Sequence, residues 1–159
     1  MLETQPKRAR ATRIIGIDYG LARIGVAVSD ERKIIASPLA TIRAEKKIEA
    51  TLAKVMAELE QFQLSNHYDI EEIVIGLPLQ MNGKYGMLAD EVKHFVELFS
   101  KVVKYPIKTW DERLTTVQAE RSMRESSMTR KKRAKSVDTI TATIILQNYL
   151  DSKNIQRMT

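Results

Sequence analysis

The stretch "IIGIDYGLARIGVAVSD", Ile14 to Asp30, constrains the fold more than any other part of the chain. Two runs rich in Ile and Val, Ile14–Asp18 and Ile24–Ser29, flank a five-residue turn that contains Gly20. Branched residues at that density, interrupted by a short glycine-bearing turn, predict an antiparallel hairpin. A lone apolar hairpin is marginal in water, so the rest of the chain must supply strands and helices that cover it. The first strand also stops on a carboxylate, Asp18. Asp-x-Gly is ordinary turn chemistry, but a carboxylate at the rim of a sheet is also a ligand for a hard cation. The local sequence leaves both readings open.

Further along, Lys33–Ser37 ("KIIAS"), halted by Pro38, predicts a third strand. The period then changes. Ile48, Leu52, Val55, Met56, Leu59 and Phe62 recur at three- and four-residue steps, which predicts a helix from about Ala44 to Gln63. After the loop "LSNHYD", Ile73, Val74 and Ile75 run into Gly76 as a short buried strand. The glycine-rich loop "GLPLQMNGKYG" leads to a second amphipathic helix marked by Val92, Phe95, Val96, Phe99 and Val103. Beyond Pro106, "IKTW" predicts a strand that ends at Asp111 and Glu112. Thr115 and Gln118 have capping-box spacing for a helix near Thr116 carrying "VQAERSMRE". A polar loop, "SSMTRKKRAK", precedes a last helix from about Ser136 to Leu150.

Three strands followed by alternating helices and strands predict an α/β fold. Its mixed five-stranded sheet would be a three-stranded antiparallel meander, then parallel strands, with helices on both faces. The expected organisation is a flexible basic tail over 1–13, one domain over 14–151, and a C-terminal tail over 152–159. A chain of 159 residues can bury one real core.

Charge narrows the function. There are 26 Lys and Arg against 20 Asp and Glu, a net charge of +6, which favours an anionic partner such as nucleic acid. With no cysteine, a thiol nucleophile, a disulfide and a thiolate metal site are all excluded. No apolar run approaches the roughly 18 residues of a membrane span. The start, "MLETQPKRARATR", lacks the apolar core of a secretory signal, so a cytoplasmic protein is expected.

Acids fall where strands and helices end: Asp18, the pair Asp111 and Glu112, and Asp138 in the first turn of the last helix. Each alone has a plain explanation, as a turn residue, an ion-pair partner of Arg113, or a helix-dipole acid. Gathered at one edge, they would repel one another and bind a divalent cation, Mg²⁺ or Mn²⁺. Two such ions would serve phosphodiester cleavage. Arg130, Lys131, Lys132 and Arg133 precede Asp138 and suit phosphate contacts, as do Arg23 in the hairpin, Lys84 in the glycine loop, and Arg113.

Together "GIDYGLARIGVAVSD", "IVIGLPLQMNG", "WDERLTT" and "TRKKRAKSVDTITATIILQNYL" resemble the YqgF (RuvX) family of ribonuclease H-like proteins, over about Ile14 to Asp151. The resemblance implies a ribonuclease H-like fold and a metal-dependent nuclease that matures the 5′ end of precursor 16S ribosomal RNA, in RNA-containing or ribosomal particles. It implies Asp18, Glu112 and Asp138 as catalytic and metal-binding acids, with one or two ions. Asp111 is the weaker of its pair, because adjacent strand residues point to opposite faces. In the wider superfamily the fourth strand ends in a carboxylate; here it ends "IVIGLP". The alternatives are a resolvase-like nuclease on branched DNA, which would need a dimer rather than the monomer or weak dimer expected, and a non-catalytic RNA-binding assembly factor. A single lobe argues against the actin-like ATPases, whose first phosphate loop "IIGIDYG" also resembles.

Overall fold

The computed structural model describes residues 9–78, 86–111 and 130–158; the side chains of 130–138 and 158 lie outside the description. The elements are β1 (Ala11–Tyr19), β2 (Arg23–Ser29), β3 (Ala36–Arg43), α1 (Ile48–Asn66), β4 (Tyr68–Leu77), α2 (Met87–Val102), β5 (Ile107–Asp111) and α3 (Arg130–Met158). The strands form one sheet in the order β3-β2-β1-β4-β5. β1, β2 and β3 pair antiparallel, while β4 pairs parallel with both β1 and β5. This is the expected mixed five-stranded sheet.

Alternation along β1 divides the molecule into layers. Ile15, Ile17 and Tyr19 face one way and pack with Leu52, Val55 and Leu59 of α1 and Val92, Phe95 and Phe99 of α2. Ile14 faces the other way, joining Val74 and Ala27 against Ala142, Ile145, Leu146, Tyr149 and Leu150 of α3. Helices therefore cover both faces. On the α3 side, a Cβ added to Gly16 would fall 2.7 Å from Leu146 Cβ and 3.1 Å from the Ala142 carbonyl oxygen. The bare glycine is what lets α3 lie this close to the central strand.

Several boundaries correct the sequence reading. β1 begins at Ala11, so 11–13 belong to the sheet rather than to a tail. β3 spans Ala36–Arg43 instead of Lys33–Ser37 and runs through Pro38. Pro38 is tolerated because β3 is an edge strand, with a register shift opposite Val26/Ala27. α1 starts later and ends later than expected, closing on His67 in a left-handed conformation. β4 begins at Tyr68, five residues before the apolar run. Helix α3 includes "RKKRAK", expected as loop, and continues to Met158 through the expected tail. That extension is held by tertiary contacts: Lys153 Nζ lies 2.7 Å from Glu72 Oε1, and Asn154 donates to the Lys33 carbonyl at 3.3 Å. The helix expected near Thr116 lies outside the described residues.

Candidate active site

Asp18 is the next-to-last residue of β1 and only 9% exposed. Its parity with Ile14 and Gly16 puts it on the α3 face of the sheet. Opposite it on β2 is Gly25, and beyond Gly25 on β3 is Thr41, so Thr41, Gly25 and Asp18 form one row across the sheet. On the other side Ile17 pairs with Ile75, and Gly76 follows. The positions flanking Asp18 on its two neighbouring strands thus carry no side chain.

β1, β4 and β5 run parallel, and their carboxyl ends, Tyr19, Leu77 and Asp111, share one edge. Open α/β sheets gather ligands at such edges because loops from several strands converge there. Along β5, Trp110 stacks edge-to-face on Tyr149 of α3, at 5.6 Å between ring centroids, while Ile107 packs on the α1–α2 side. By alternation Asp111 falls on the α1–α2 side of the sheet, opposite to Asp18. Glu112 lies outside the described residues, as do Lys84 and Arg113.

The direction of α3 follows from its contacts with β3. The Gln147 side chain accepts from the Ala36 amide at 2.9 Å, and further along the strand the Thr41 and Thr139 hydroxyls are hydrogen-bonded to each other. As β3 advances from 36 to 41, α3 retreats from 147 to 139. Because β3 is parallel to β1, α3 runs antiparallel to β1, and its N-terminal half overlies the Asp18 end. Position 138 adjoins Thr139 at the level of the Asp18 row. The backbone of 130–135, with its basic residues, continues from that same end.

Arg23 begins β2 and shares the parity of Gly25 and Ala27, so it lies on the α3 face at the Asp18 edge. The turn that carries it is fixed by the Gly20 amide donating to the Arg23 carbonyl at 3.0 Å and by the Ala44 amide donating to the Ala22 carbonyl at 2.9 Å. A Cβ at Gly20 would meet that Arg23 oxygen at 2.5 Å, so the turn requires glycine. His67 and His94 are exposed, and His67 sits just before β4, at the end of that strand opposite to this edge. Among the described residues no group of three His, Cys, Asp or Glu forms a metal cluster. What Asp18 offers is a buried hard-oxygen donor, which suits Mg²⁺ or Mn²⁺ and not a thiophilic metal.

Sequence reasoning missed Thr41 and Thr139. Nothing in "SPLATIR" or "VDTIT" marks a hydroxyl pair across 98 residues of chain.

The family model described as "RuvX: Holliday junction resolvase" matches residues 12–152. A protein of Protochlamydia amoebophila named "Putative pre-16S rRNA nuclease" is 58% identical over 96% of this chain and 99% of its own. One of Clostridium acetobutylicum with the same name is 45% identical over 88% of this chain and 98% of its own. Among solved structures, Thermus thermophilus RuvC in complex with a Holliday junction substrate aligns with a TM-score of 0.52 at 14% identity, covering 89% of this chain and 95% of that one. The fowlpox virus Holliday junction resolvase aligns at 0.53 and 12% identity, covering 88% and 99%. These two share the fold.

Proposed function

The chain belongs to the RuvX family and is a nuclease, and from that premise we propose that it hydrolyses phosphodiester bonds of structured RNA, maturing the 5′ end of precursor 16S ribosomal RNA. The observation that carries this reading is the location of Asp18: buried, on the α3 face, at the carboxyl edge where β1, β4 and β5 end. The names of the relatives support the RNA substrate.

Asp18, Glu112 and Asp138 are the proposed catalytic acids and the ligands of one or two Mg²⁺ or Mn²⁺ ions. The bound cation would supply Lewis-acid stabilisation of the charge that builds on the phosphate oxygens. Asp18 orients the attacking water through a hydrogen bond to its carboxylate. The water oxygen bonds to phosphorus, its proton passes to solvent, and the bond from phosphorus to the 3′ oxygen breaks. The leaving oxygen takes a proton from water, giving a 5′-phosphate and a 3′-hydroxyl. Arg23, at the same edge, would neutralise the neighbouring phosphate. Lys84, Arg113, Arg130, Lys131, Lys132 and Arg133 would add phosphate contacts that fix position rather than sequence. Binding should therefore weaken as salt rises, with a slope of about 0.7 per phosphate neutralised on single strands.

Cleavage of a precursor RNA by the purified protein with Mg²⁺ or Mn²⁺, wild type against Asp18→Asn, tests this. Cutting by the wild type and not by the variant is the expected result, whereas equal cutting removes Asp18 from the chemistry. A wild type that binds RNA without cutting it would make the protein an assembly factor. Branched DNA is the second reading, favoured by the family's description as a Holliday junction resolvase. A four-way junction in the same assay, with the oligomeric state measured alongside, separates the two. Symmetric incision by a dimer would move the substrate from RNA to DNA.

A further inference from the structure

Among the described residues, the hydroxyl pair formed by Thr41 and Thr139 is a contact of α3 near the candidate site that neither the core nor the chemistry has absorbed. Within the described residues, the buried apolar packing of α3 begins at Ala142 and runs toward the C-terminal end. Polar ties follow the same line: Asn154 to Lys33, Gln147 to Ala36 and Ile34, and finally Thr139 to Thr41. The last of these is also the tie nearest position 138. Gly16 sets how closely the helix approaches β1, through Leu146 and Ala142. It does little to stop the turns before 142 from swinging sideways over the sheet.

We propose that Thr41 is a positioning residue: its hydroxyl, held by Thr139, fixes the turn of α3 that carries Asp138 over the row containing Asp18. The inference rests on the reading that Asp138 is a cation ligand. Thr41 stands two strands from Asp18, a backbone separation of about 9.6 Å at ordinary strand spacing. It braces the helix from the far side of Gly25. Thr143 donates to the Thr139 carbonyl at 2.8 Å, a back-bond of the kind that bends helices slightly. A turn already biased in that way needs an outside tie to hold one geometry. Thr41 therefore sets how strongly the site binds its cation and leaves the step that breaks the phosphodiester bond unchanged.

The test measures Mn²⁺ binding to the full chain without nucleic acid, by paramagnetic resonance or calorimetry, for Thr41→Val, Thr41→Ser, Thr139→Val and the Thr41/Thr139 double variant. Thr41→Val keeps the shape and removes the hydroxyl. It should weaken Mn²⁺ binding about fivefold, the usual scale for one hydrogen bond. Thr41→Ser should restore binding to within about twofold, and the double variant should be no worse than either single change. Thermal midpoints should stay together, and kcat at saturating Mn²⁺ should stay within about twofold of wild type. Asp138→Asn serves as the reference. If it weakens Mn²⁺ binding while Thr41→Val does not, the positioning role alone is overturned. If Asp138→Asn leaves binding unchanged, the assignment of Asp138 falls, and the role of Thr41 falls with it.

Discussion

Among the described residues two carboxylates are buried on the α3 face of this sheet, at opposite ends of the same central strands, and their neighbours on the adjoining strands differ. Glu72, 3% exposed, pairs across the sheet with Ile14. It accepts from Tyr149 Oη at 2.8 Å and is bridged by Lys153 at 2.7 Å and Lys108 at 3.1 Å. Burial pushes its carboxyl up, but the bonds from Lys153, Tyr149 and Lys108 outweigh that and hold it below its ordinary value. Both ammonium groups also lie over the Tyr149 ring. Asp18 has glycines at the flanking positions on β2 and β4. A carboxylate whose charge is cancelled by two ammonium groups has no need of a divalent cation, so Glu72 reads as a fastener joining β4, β5 and the end of α3. Burial of an acid is thus no sign of chemistry by itself.

The sharpest way to break this contrast is to neutralise each acid in turn. Asp18→Asn should lower cleavage by on the order of a thousandfold, as loss of a group acting on the transition state does. Its unfolding midpoint in urea should not fall. A variant that lost stability in step with activity would make Asp18 a second fastener.

Gly16 lies midway between the two acids, and Gly16→Val should disturb both ends. The added atoms would meet Leu146 and Ala142 at once, and overpacking of this kind costs about 1–3 kcal/mol. Because the helix would be lifted off β1, Mn²⁺ affinity should fall with stability. Urea melts and Mn²⁺ titrations on the same preparation check whether the two losses arrive together. If only stability moves, the height of α3 over β1 does not govern the site.

Glu72→Gln should do the reverse of Asp18→Asn. Breaking a fully buried ion pair costs several kcal/mol, but here Lys108 is 50% exposed and Lys153 29%, so both can rehydrate. A loss of about 2 kcal/mol in urea unfolding, with cleavage retained at low temperature, is expected. Loss of cleavage in a stably folded Glu72→Gln protein would erase the distinction between the two acids.

The same contrast shows what the sequence could and could not reveal. The strand carrying Asp18 is legible because Ile14, Ile15 and Ile17 are apolar on both faces and only a strand buried on both sides needs that. The strand carrying Glu72 is half legible. "IVIG" announces itself, but "YDIEE" looks like solvent-facing loop, and the partners that make Glu72 tolerable lie 36 and 81 residues away, at Lys108 and Lys153. Pro38 read as a stop because a proline ends a central strand, and edge position is a property of the sheet that no local window contains. Likewise "SKNIQRM" has no apolar stripe, so its helix depends on Glu72 and Lys33 rather than on its own periodicity. Legibility fails where a segment owes its form to a distant residue. The Thr41–Thr139 pair is hidden for that reason too.

The smallest expected effects distinguish the two lysines of the fastener. The folded carboxyl of Glu72 lies below its ordinary value of 4.5, so its contribution is complete above that value and is lost as pH falls through the lower folded value. Lys153 is the shorter and more buried contact, and Lys153→Met should cost about 1 kcal/mol near neutrality. It should also move the acid-unfolding midpoint upward, because burial then weighs more heavily on Glu72. Lys108, half in solvent, is screened, so Lys108→Met should cost less than about 0.5 kcal/mol and barely shift the acid midpoint. Urea midpoints measured from about pH 6 down to pH 3 report both quantities. If Lys108→Met proved the costlier, β5 rather than α3 would be the element that Glu72 holds in place, and the tertiary account of the C-terminal turns of α3 would need a different anchor.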